Sequence, residues 1–566
     1  MNLKEQIRHS IPAAIVVVIG AWVMIYYSIV QWETMKPVPS WDLAIFSELA
    51  KAYAHFQTPI VPVKGDGYNL LGDHFHPILI LLGPIWRLFP TPLSLLITQD
   101  LLLAFSAWPL TRLASRLTNQ WVAGGLGLVY VLSWGMQGAV AAQFHEIAFA
   151  MPLLAYASVA FVERRWGAVT AWSVPLVLVK EDMGLTVLMI GVAVILTSAV
   201  PAWYRSCTVI RPGGRGADGL NAAAGNAPTD EATRNRHRGL RLGVGMIVGG
   251  IAAFLFAIQV FLPAFNINGV WDYGLSSQDQ PTSPDALTQK ATVVVMLILT
   301  SGIVGVTSPW LLVVLPTLAW RFLGSVEFYW VWDNWHYNAT LMPIALGALL
   351  DVVARRRAHG SYVADHPVRQ VGVDGRAVMG RSAQAALAAG EAGEAGTAGE
   401  SDVDGPRRRP TAFPTWLTVP MRHRFVVATS ILTAVATGVL TAPYLPLWQA
   451  TNKNFDPLAA EAKQSDEAKR TETHRVAVAH EAIATIPEGA TVVTDLSLLA
   501  YLVPRAEVSW VGTSGPDKEY IVMTPTSANQ WGSSDAAAWG KKHSKQGATY
   551  TLIYNKDNYQ IAKRNG

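Results

Sequence analysis

Residues 11–30, Ile11-Pro-Ala-Ala-Ile-Val-Val-Val-Ile-Gly-Ala-Trp-Val-Met-Ile-Tyr-Tyr-Ser-Ile-Val30, decide the class of fold. The run holds no charge, and about 20 apolar residues are what an α-helix needs to cross about 30 Å of hydrocarbon. Met183–Val200 and Gly243–Leu262 repeat the pattern. A chain with several such runs is an all-α polytopic membrane protein. The first run is long, no small-x-small site follows it, and further runs come after it, so it reads as a span, not a cleaved signal. Across the 566 residues only 15% are charged and 21 are Trp. The charged share falls below the roughly 25% of soluble chains, which excludes a disordered chain. The single cysteine, Cys207, excludes an internal disulfide framework. A net charge of +4 is too small to suggest nucleic acid as a partner.

Outward from that stretch, eleven spans are expected, near 11–30, 92–111, 121–137, 147–162, 167–180, 183–200, 242–262, 291–306, 308–323, 338–354 and 425–441. Pro77–Phe89 is apolar but short, and reads as a re-entrant or interfacial piece. Lys and Arg mark the cytoplasmic side. With Lys4 and Arg8 inside, alternation puts Arg112/Arg116, Arg164/Arg165, residues 201–241 and residues 355–424 in the cytoplasm. A spanning 77–89 would turn those arginines outward, so the charge pattern supports the re-entrant reading. Residues 207–238 and 358–412, the latter holding the low-complexity run Ala383–Glu400, read as disordered cytoplasmic loops.

Residues 1–441 thus form the expected transmembrane domain of a multi-pass membrane protein, with its N-terminus inside. The tail, 442–566, carries 26 of the chain's 84 charged residues and reads as an extracytoplasmic soluble α/β domain. Glu467–Ile486 and Asp535–His543 have helical spacing. Ala490–Thr494, Tyr520–Met523 and Thr549–Tyr554 read as strands, and the chain returns over Tyr559–Ala562 after a turn. The tail has no phosphate loop and no metal spacing.

The informative polar residues fall on the side this topology leaves outside. Asp42 opens a segment in which Leu43, Phe46, Ala50, Tyr53 and Phe56 have the spacing of an amphipathic helix lying on the interface. Ser40 has the position of its N-cap, and first-turn acids such as Asp42 are also common for helix stability alone. Gly72-Asp-His-Phe-His-Pro77 supplies Asp73, His74 and His76 for a phosphate or a cation, although two histidines are a weak metal signal. His145-Glu146 lies between the third and fourth spans. Lys180-Glu181-Asp182 lies between the fifth and sixth, where three charges between apolar runs either snorkel or serve a function. Asp333, Trp335, His336 and Tyr337 precede the tenth span, where aromatics suit an interfacial belt or a sugar pocket. Acids, imidazoles and a lysine gathered on one face point to an active site or an ion path.

Trp41-Asp-Leu-Ala-Ile-Phe46, Gly72-Asp-His-Phe-His-Pro77, Phe144-His-Glu146 and Val179-Lys-Glu-Asp182 resemble a bacterial family of multi-spanning membrane proteins classed as a domain of unknown function. The resemblance covers about 1–200 well and 240–350 more loosely, and the tail is similar to that family's small C-terminal α/β module. The family in turn resembles the GT-C glycosyltransferases. That likeness implies a polyprenyl-phosphate-linked sugar donor, a cell-envelope glycan, lipid or protein as acceptor, and inverting transfer on the extracytoplasmic face. It places Asp42 as the first catalytic acid and His145-Glu146 at the second acidic motif. Phe-His-Glu replaces the usual pair of acids there, so a divalent cation is left open. In this scheme Asp42 is the general base, and Glu146 and Asp182 orient acceptor, basic groups or cation. Lys180 with His74 or His76 faces the leaving phosphate, and Trp335 and Tyr337 contact the sugar. Asp73, His145, Glu181 and His336 complete the substrate and phosphate contacts. Two other functions stand beside it: a transporter or flippase with an acid/His relay, and a non-catalytic assembly factor whose tail binds a partner.

Overall fold

The structure is a computed structural model, described here for residues 3–36, 40–199, 230–273, 284–324, 326–365, 370–371, 377–378, 419–452, 466–525 and 531–566. A helical membrane body is joined to a small C-terminal sheet module.

Helix α1, Leu3–Thr34, holds the deciding stretch and, at 1.5 Å per residue, is about 48 Å long. After a short connection Ser40 starts α2, Trp41–Ala54, with its hydroxyl accepting from the Leu43 amide. The expected amphipathic helix is there, but it stops short of Phe56. That residue has φ +58 and lies 92% exposed, because the chain turns back beyond His55 instead of winding on. Residues 77–88 form a 3-10 turn followed by α3, Leu82–Leu88. This piece packs back onto α2, with Arg87 donating to the Ala54 carbonyl at 3.0 Å. Its length of 12 residues is too short to span, consistent with the interfacial reading.

Helix α4, Pro92–Leu117, packs along α1. Among the described residues, five helical stretches are long and apolar enough to cross a membrane: Leu3–Thr34, Pro92–Leu117, Glu231–Phe265, His336–Ala358 and His423–Gln449. The expected spans at 147–162, 167–180, 183–200, 291–306 and 308–323 coincide with shorter apolar helices. The expected span at 121–137 is broken at Leu132–Ser133 into two helices, Gln120–Val131 and Trp134–Ala141.

Two expected loops are shorter than the composition suggests. Residues 230–238 belong to the helix Asp230–Phe256, and 358–365 to Leu341–Asp365. In the first, Glu231 sits near the N-terminal end, where the helix dipole favours an acid, so the helix continues beyond its apolar part. Most of the remainder of both loops, including Ala383–Glu400, lies outside the described residues.

The basic segments meet at one end of the body. Arg116 pairs with Glu163 at 2.5 Å, and Arg357 donates to the Arg116 carbonyl at 3.1 Å. Gln120 donates to the Arg8 carbonyl, and the Arg238 guanidinium lies against Gly167. Segments that alternation assigns to a common side therefore share one end.

The opposite end carries the C-terminal module. Its five strands are β1 Thr491–Thr494, β2 Glu507–Trp510, β3 Tyr520–Met523, β4 Tyr550–Lys556 and β5 Tyr559–Arg564, in the order β2-β1-β3-β5-β4. β1 runs parallel to both β2 and β3, and β5 is antiparallel to β3 and β4. Asp557 and Asn558 both take positive φ in the β4–β5 turn, the hairpin geometry that matches strand twist. The helices Asp466–Thr485 and Ala536–His543 pack on the sheet. The expected helices and strands are present. β2 is an additional strand, and it packs against the Pro62–Lys64 turn of the body.

Candidate functional site

The polar motifs converge at the module end. The helix Trp134–Ala141 stops where Gln143 takes φ +71, and the turn is fixed from both directions. The Gln143 side chain accepts from the Ser40 amide at 2.5 Å, and the His145 amide donates to Gln99 Oε1 at 3.0 Å. This tie between α2 and α4 brings His145 Nε2 to 3.6 Å from Asp42 Oδ2. His145 Nδ1 lies 3.1 Å from the Gln143 carbonyl, which only accepts, so Nδ1 carries hydrogen. Partial burial opposes charge on Asp42, but His145 holds its carboxyl below the usual range.

From His145 the contacts run on through the neighbouring residue of each motif. Glu146 Oε1 accepts from Lys180 Nζ at 2.7 Å. Glu181, next to Lys180, binds His74 Nδ1 at 2.8 Å and accepts from the Phe75 amide at 3.1 Å. Asp73, next to His74, accepts on one oxygen from Lys64 at 2.6 Å, from Tyr68 at 2.9 Å and from Tyr273 at 2.9 Å. Lys64 Nζ lies 5.9 Å over the Trp41 ring, and Trp41 precedes Asp42. The result is a closed circuit of alternating sign: Asp42, His145, Glu146, Lys180, Glu181, His74, Asp73, Lys64. Three of the four motifs supply an acid beside a base, and Asp42 and Lys64 enter the circuit singly.

Burial within the circuit is uneven. The side chains of Glu146, Glu181 and Asp73 are 3%, 4% and 8% exposed, whereas Lys64, Lys180 and His74 are 13%, 19% and 20% exposed. Asp42 is the open acid at 40%. The cations therefore form a partly accessible lip with their counter-ions behind them. Burial works against the charge on Asp73, yet His74 and Lys64 hold it down at about 2. Burial would lower His74, but Glu181 raises it above its ordinary value. His76 has no such partner. It packs edge-on against Phe46 at 6.1 Å, and burial lowers it to about 4, so of the two histidines His74 is the one that carries charge.

Asp182 has one buried oxygen with no hydrogen-bond partner, and burial pushes it up to about 6 against the pull of Lys180. His336 stacks on His145 at 3.6 Å between ring centres and lies 4.0 Å from Tyr337. Among the described residues both its ring nitrogens are buried without a partner. The segment around it is pinned by Arg321, which donates to the Tyr329 and Tyr337 carbonyls and to the Asn338 side chain. Gly135 and Gly138 leave room for it, since a Cβ at either would meet the Asn338 or Trp335 carbonyl oxygen. The Trp335 ring turns to Phe328. Among the described residues, Asp333 makes no ion pair with the circuit, and no three His, Cys, Asp or Glu side chains gather as a metal-ligand set.

Sequence reasoning passed over Lys64, Tyr68 and Tyr273 as site residues. Tyr273 stacks on His74 at 4.1 Å, and its segment reaches the site because Gly72 lets the Asn266 backbone approach. The one signal for Lys64 was its place among the few basic residues of an outer loop.

A family model described as "Predicted membrane protein (DUF2079)" matches residues 38–368. The chain belongs to this family. The match spans more than half of the chain and contains every member of the charge circuit, so the membership expected from the four motifs holds. No curated protein matches the chain. Among solved structures, the chain is similar to ArnT from Cupriavidus metallidurans bound to undecaprenyl phosphate, at 11% identity over 97% of each chain and a TM-score of 0.42. It is also similar to the Archaeoglobus fulgidus oligosaccharyltransferase in the apo form, at 13% identity over 88% of this chain and 64% of that one, with a TM-score of 0.35.

Proposed function

We propose that this membrane protein is an inverting glycosyltransferase that moves a sugar from a polyprenyl-phosphate donor to a hydroxyl acceptor on the extracytoplasmic face. The observation that carries the reading is the uneven burial of the circuit, in which three cations line an accessible lip and the one open acid, Asp42, stands beside them. A phosphate would rest on Lys64, Lys180 and His74. Asp42 takes the acceptor proton, and the acceptor oxygen attacks the anomeric carbon. The carbon–oxygen bond to phosphate breaks, and polyprenyl phosphate leaves with its charge met by the lip. Glu146, Glu181 and Asp73 hold the three cations in place. His145 orients Asp42, and Asp182 and the unpartnered nitrogens of His336 face the acceptor or the sugar. Trp335 and Tyr337 supply aromatic surface, and the positive-inside pattern supports an outer position for the module end. The acceptor class is a cell-envelope glycan, lipid or protein.

The test is transfer of radiolabelled sugar from a polyprenyl-phosphate donor by the chain in vesicles. D42N should lower the rate by about 10²–10⁴-fold. Full transfer by that variant would remove Asp42 as the base. A proton-coupled transporter is the second reading, favoured by Asp100, whose carboxylate is fully buried in α4 and pairs with no cation among the described residues. Uptake driven by a pH gradient, with no sugar transfer, would select it.

A further inference from the structure

Helix α2 has two occupied faces. One carries Asp42 toward His145 and sets Phe46 against His76 and His145. The other carries Trp41, Glu48 and Lys51, spaced seven and three residues apart and so close to one line along the helix. A free amphipathic helix would turn that second face to water. Here it is covered by the module. The Trp41 and Trp510 rings lie 5.3 Å apart, and Lys51 Nζ donates to the Val503 and Ala506 carbonyls at 2.7 and 3.0 Å.

Glu48 lies between them and is 6% exposed. One carboxylate oxygen accepts from the Val508 amide of β2 at 3.4 Å, the other from the Val63 amide at 3.3 Å. Val63 adjoins Lys64 in a loop closed by the pairing of Ile60 with Asn69. The module holds this loop separately: Thr513 donates to the Val63 carbonyl at 2.8 Å, and Lys518 pairs with Asp66 at 2.7 Å. Val61 and Val63 are fully buried, whereas Gly65 and Gly67 beyond Lys64 have positive φ and open space on the side where a Cβ would stand, so the loop is packed on one side of Lys64 only.

We propose that Glu48 is the positioning residue through which the C-terminal module fixes Asp42 and Lys64 relative to each other. Its two oxygens join three elements: the helix that carries the base, the loop that carries a lip cation, and the sheet. The module then acts as a clamp on the site from outside it and contributes no group to the reaction. The inference rests on the transferase reading only for the roles of Asp42 and Lys64. The clamp itself is a statement about which segments move together.

The test uses the full chain in nanodiscs and reads two quantities, hydrogen exchange by mass spectrometry and transfer. E48A and the same-sized E48Q should each raise exchange in residues 41–54 and 60–69 together, by about tenfold if the clamp opens locally. Exchange in β4 and β5 should stay as it was. The kcat for transfer should fall by as much as about 10²-fold, the scale of a small misplacement of reacting groups, with the donor KM moved far less. T513V, which cuts the loop contact and a local one to the Trp510 carbonyl but spares Glu48, should raise exchange in 60–69 and leave 41–54 unchanged. K556A, far from the clamp within the module, should change neither quantity. Unchanged exchange in 60–69 for both Glu48 variants overturns the proposal. So does an equal rise over the whole chain, which would mark a merely structural role. If both segments loosen in E48Q while even the unmodified chain transfers no sugar, the clamp stands and the transferase reading falls.

Discussion

The two ends of the membrane body solve the same problem with different side chains. At the end opposite the module, acids are buried against arginine. Asp351 is 1% exposed and accepts from Arg164 at 2.7 Å and Ser308 at 2.7 Å, with Arg355 at 3.2 Å. Glu163 is shared by Arg116 and Arg165. At the module end the acids are matched by lysine and histidine, and unpartnered atoms remain on Asp182 and His336. Arginine is always charged and grips a carboxylate with a planar fork, so the first end is a lock between helices. Lysine and histidine can exchange protons and let go of an anion, so the second end can do chemistry. Under the proposed function, the difference separates charge that holds the fold from charge that serves the site, although both are buried and both are paired.

Four perturbations test that division, from the largest effect to the smallest. D42N should cost about 10²–10⁴-fold in transfer with little change in melting temperature, because the residue is partly open to solvent and supports no packing. D351A should do the reverse. It strands Arg164 in a buried position and should destabilise the body by about 3–5 kcal/mol, read as a lower melting temperature or loss of folded yield. Transfer per folded molecule should be retained, and loss of transfer at full stability would break the comparison.

The third perturbation is pH. Burial pushes Glu48 up to about 8, against its two amide contacts and Lys51, with Glu507 of β2 adding to the rise. A carboxyl raised in the folded state favours folding most when neutral in both states. The stability it lends is therefore full below the ordinary Glu range and falls as pH rises through about 8. Exchange in residues 60–69, corrected for its intrinsic pH dependence, should climb as pH rises from about 4.5 to about 8 and level off above that, and E48Q should flatten the climb. The smallest effect is that of Y273F, which removes one of three donors to Asp73 and should cost about 1 kcal/mol. A several-fold loss of transfer with Lys64 still paired to Asp73 is the expected outcome, and an unchanged rate would place Tyr273 outside the site.

Much of this was visible in the sequence. Uncharged runs located the long helices, Ser40 marked the start of α2, and alternation found most of the module's strands. β2 escaped because Glu507-Val-Ser-Trp510 is four residues long and offers little periodicity. Glu48 and Lys51 escaped for a deeper reason. Acid and base on the polar face of an amphipathic helix have the spacing of solvent-facing residues, and nothing local says that a strand 460 residues later will cover them. The site motifs were legible as acid–base neighbours. Their partners were not, because pairing across motifs is a property of how the helices stand together. Lys64 shows the limit most plainly: between Val63 and Gly65 it has no pattern at all, and only the fold gives it Asp73.

The closed circuit also has a history in time. His74 pairs with a carboxylate 107 positions later, and Asp73 receives a hydroxyl from a residue 200 positions later. At synthesis rates of about 5–20 residues per second, His74 waits about 5–20 seconds for Glu181 to be made. In that interval its imidazole waits without Glu181, whereas the neighbouring Asp73 already has Lys64 and Tyr68, made before it, to pair with. The circuit therefore closes late, after the intervening helices have been inserted, and the charges lose their water only when the partners arrive.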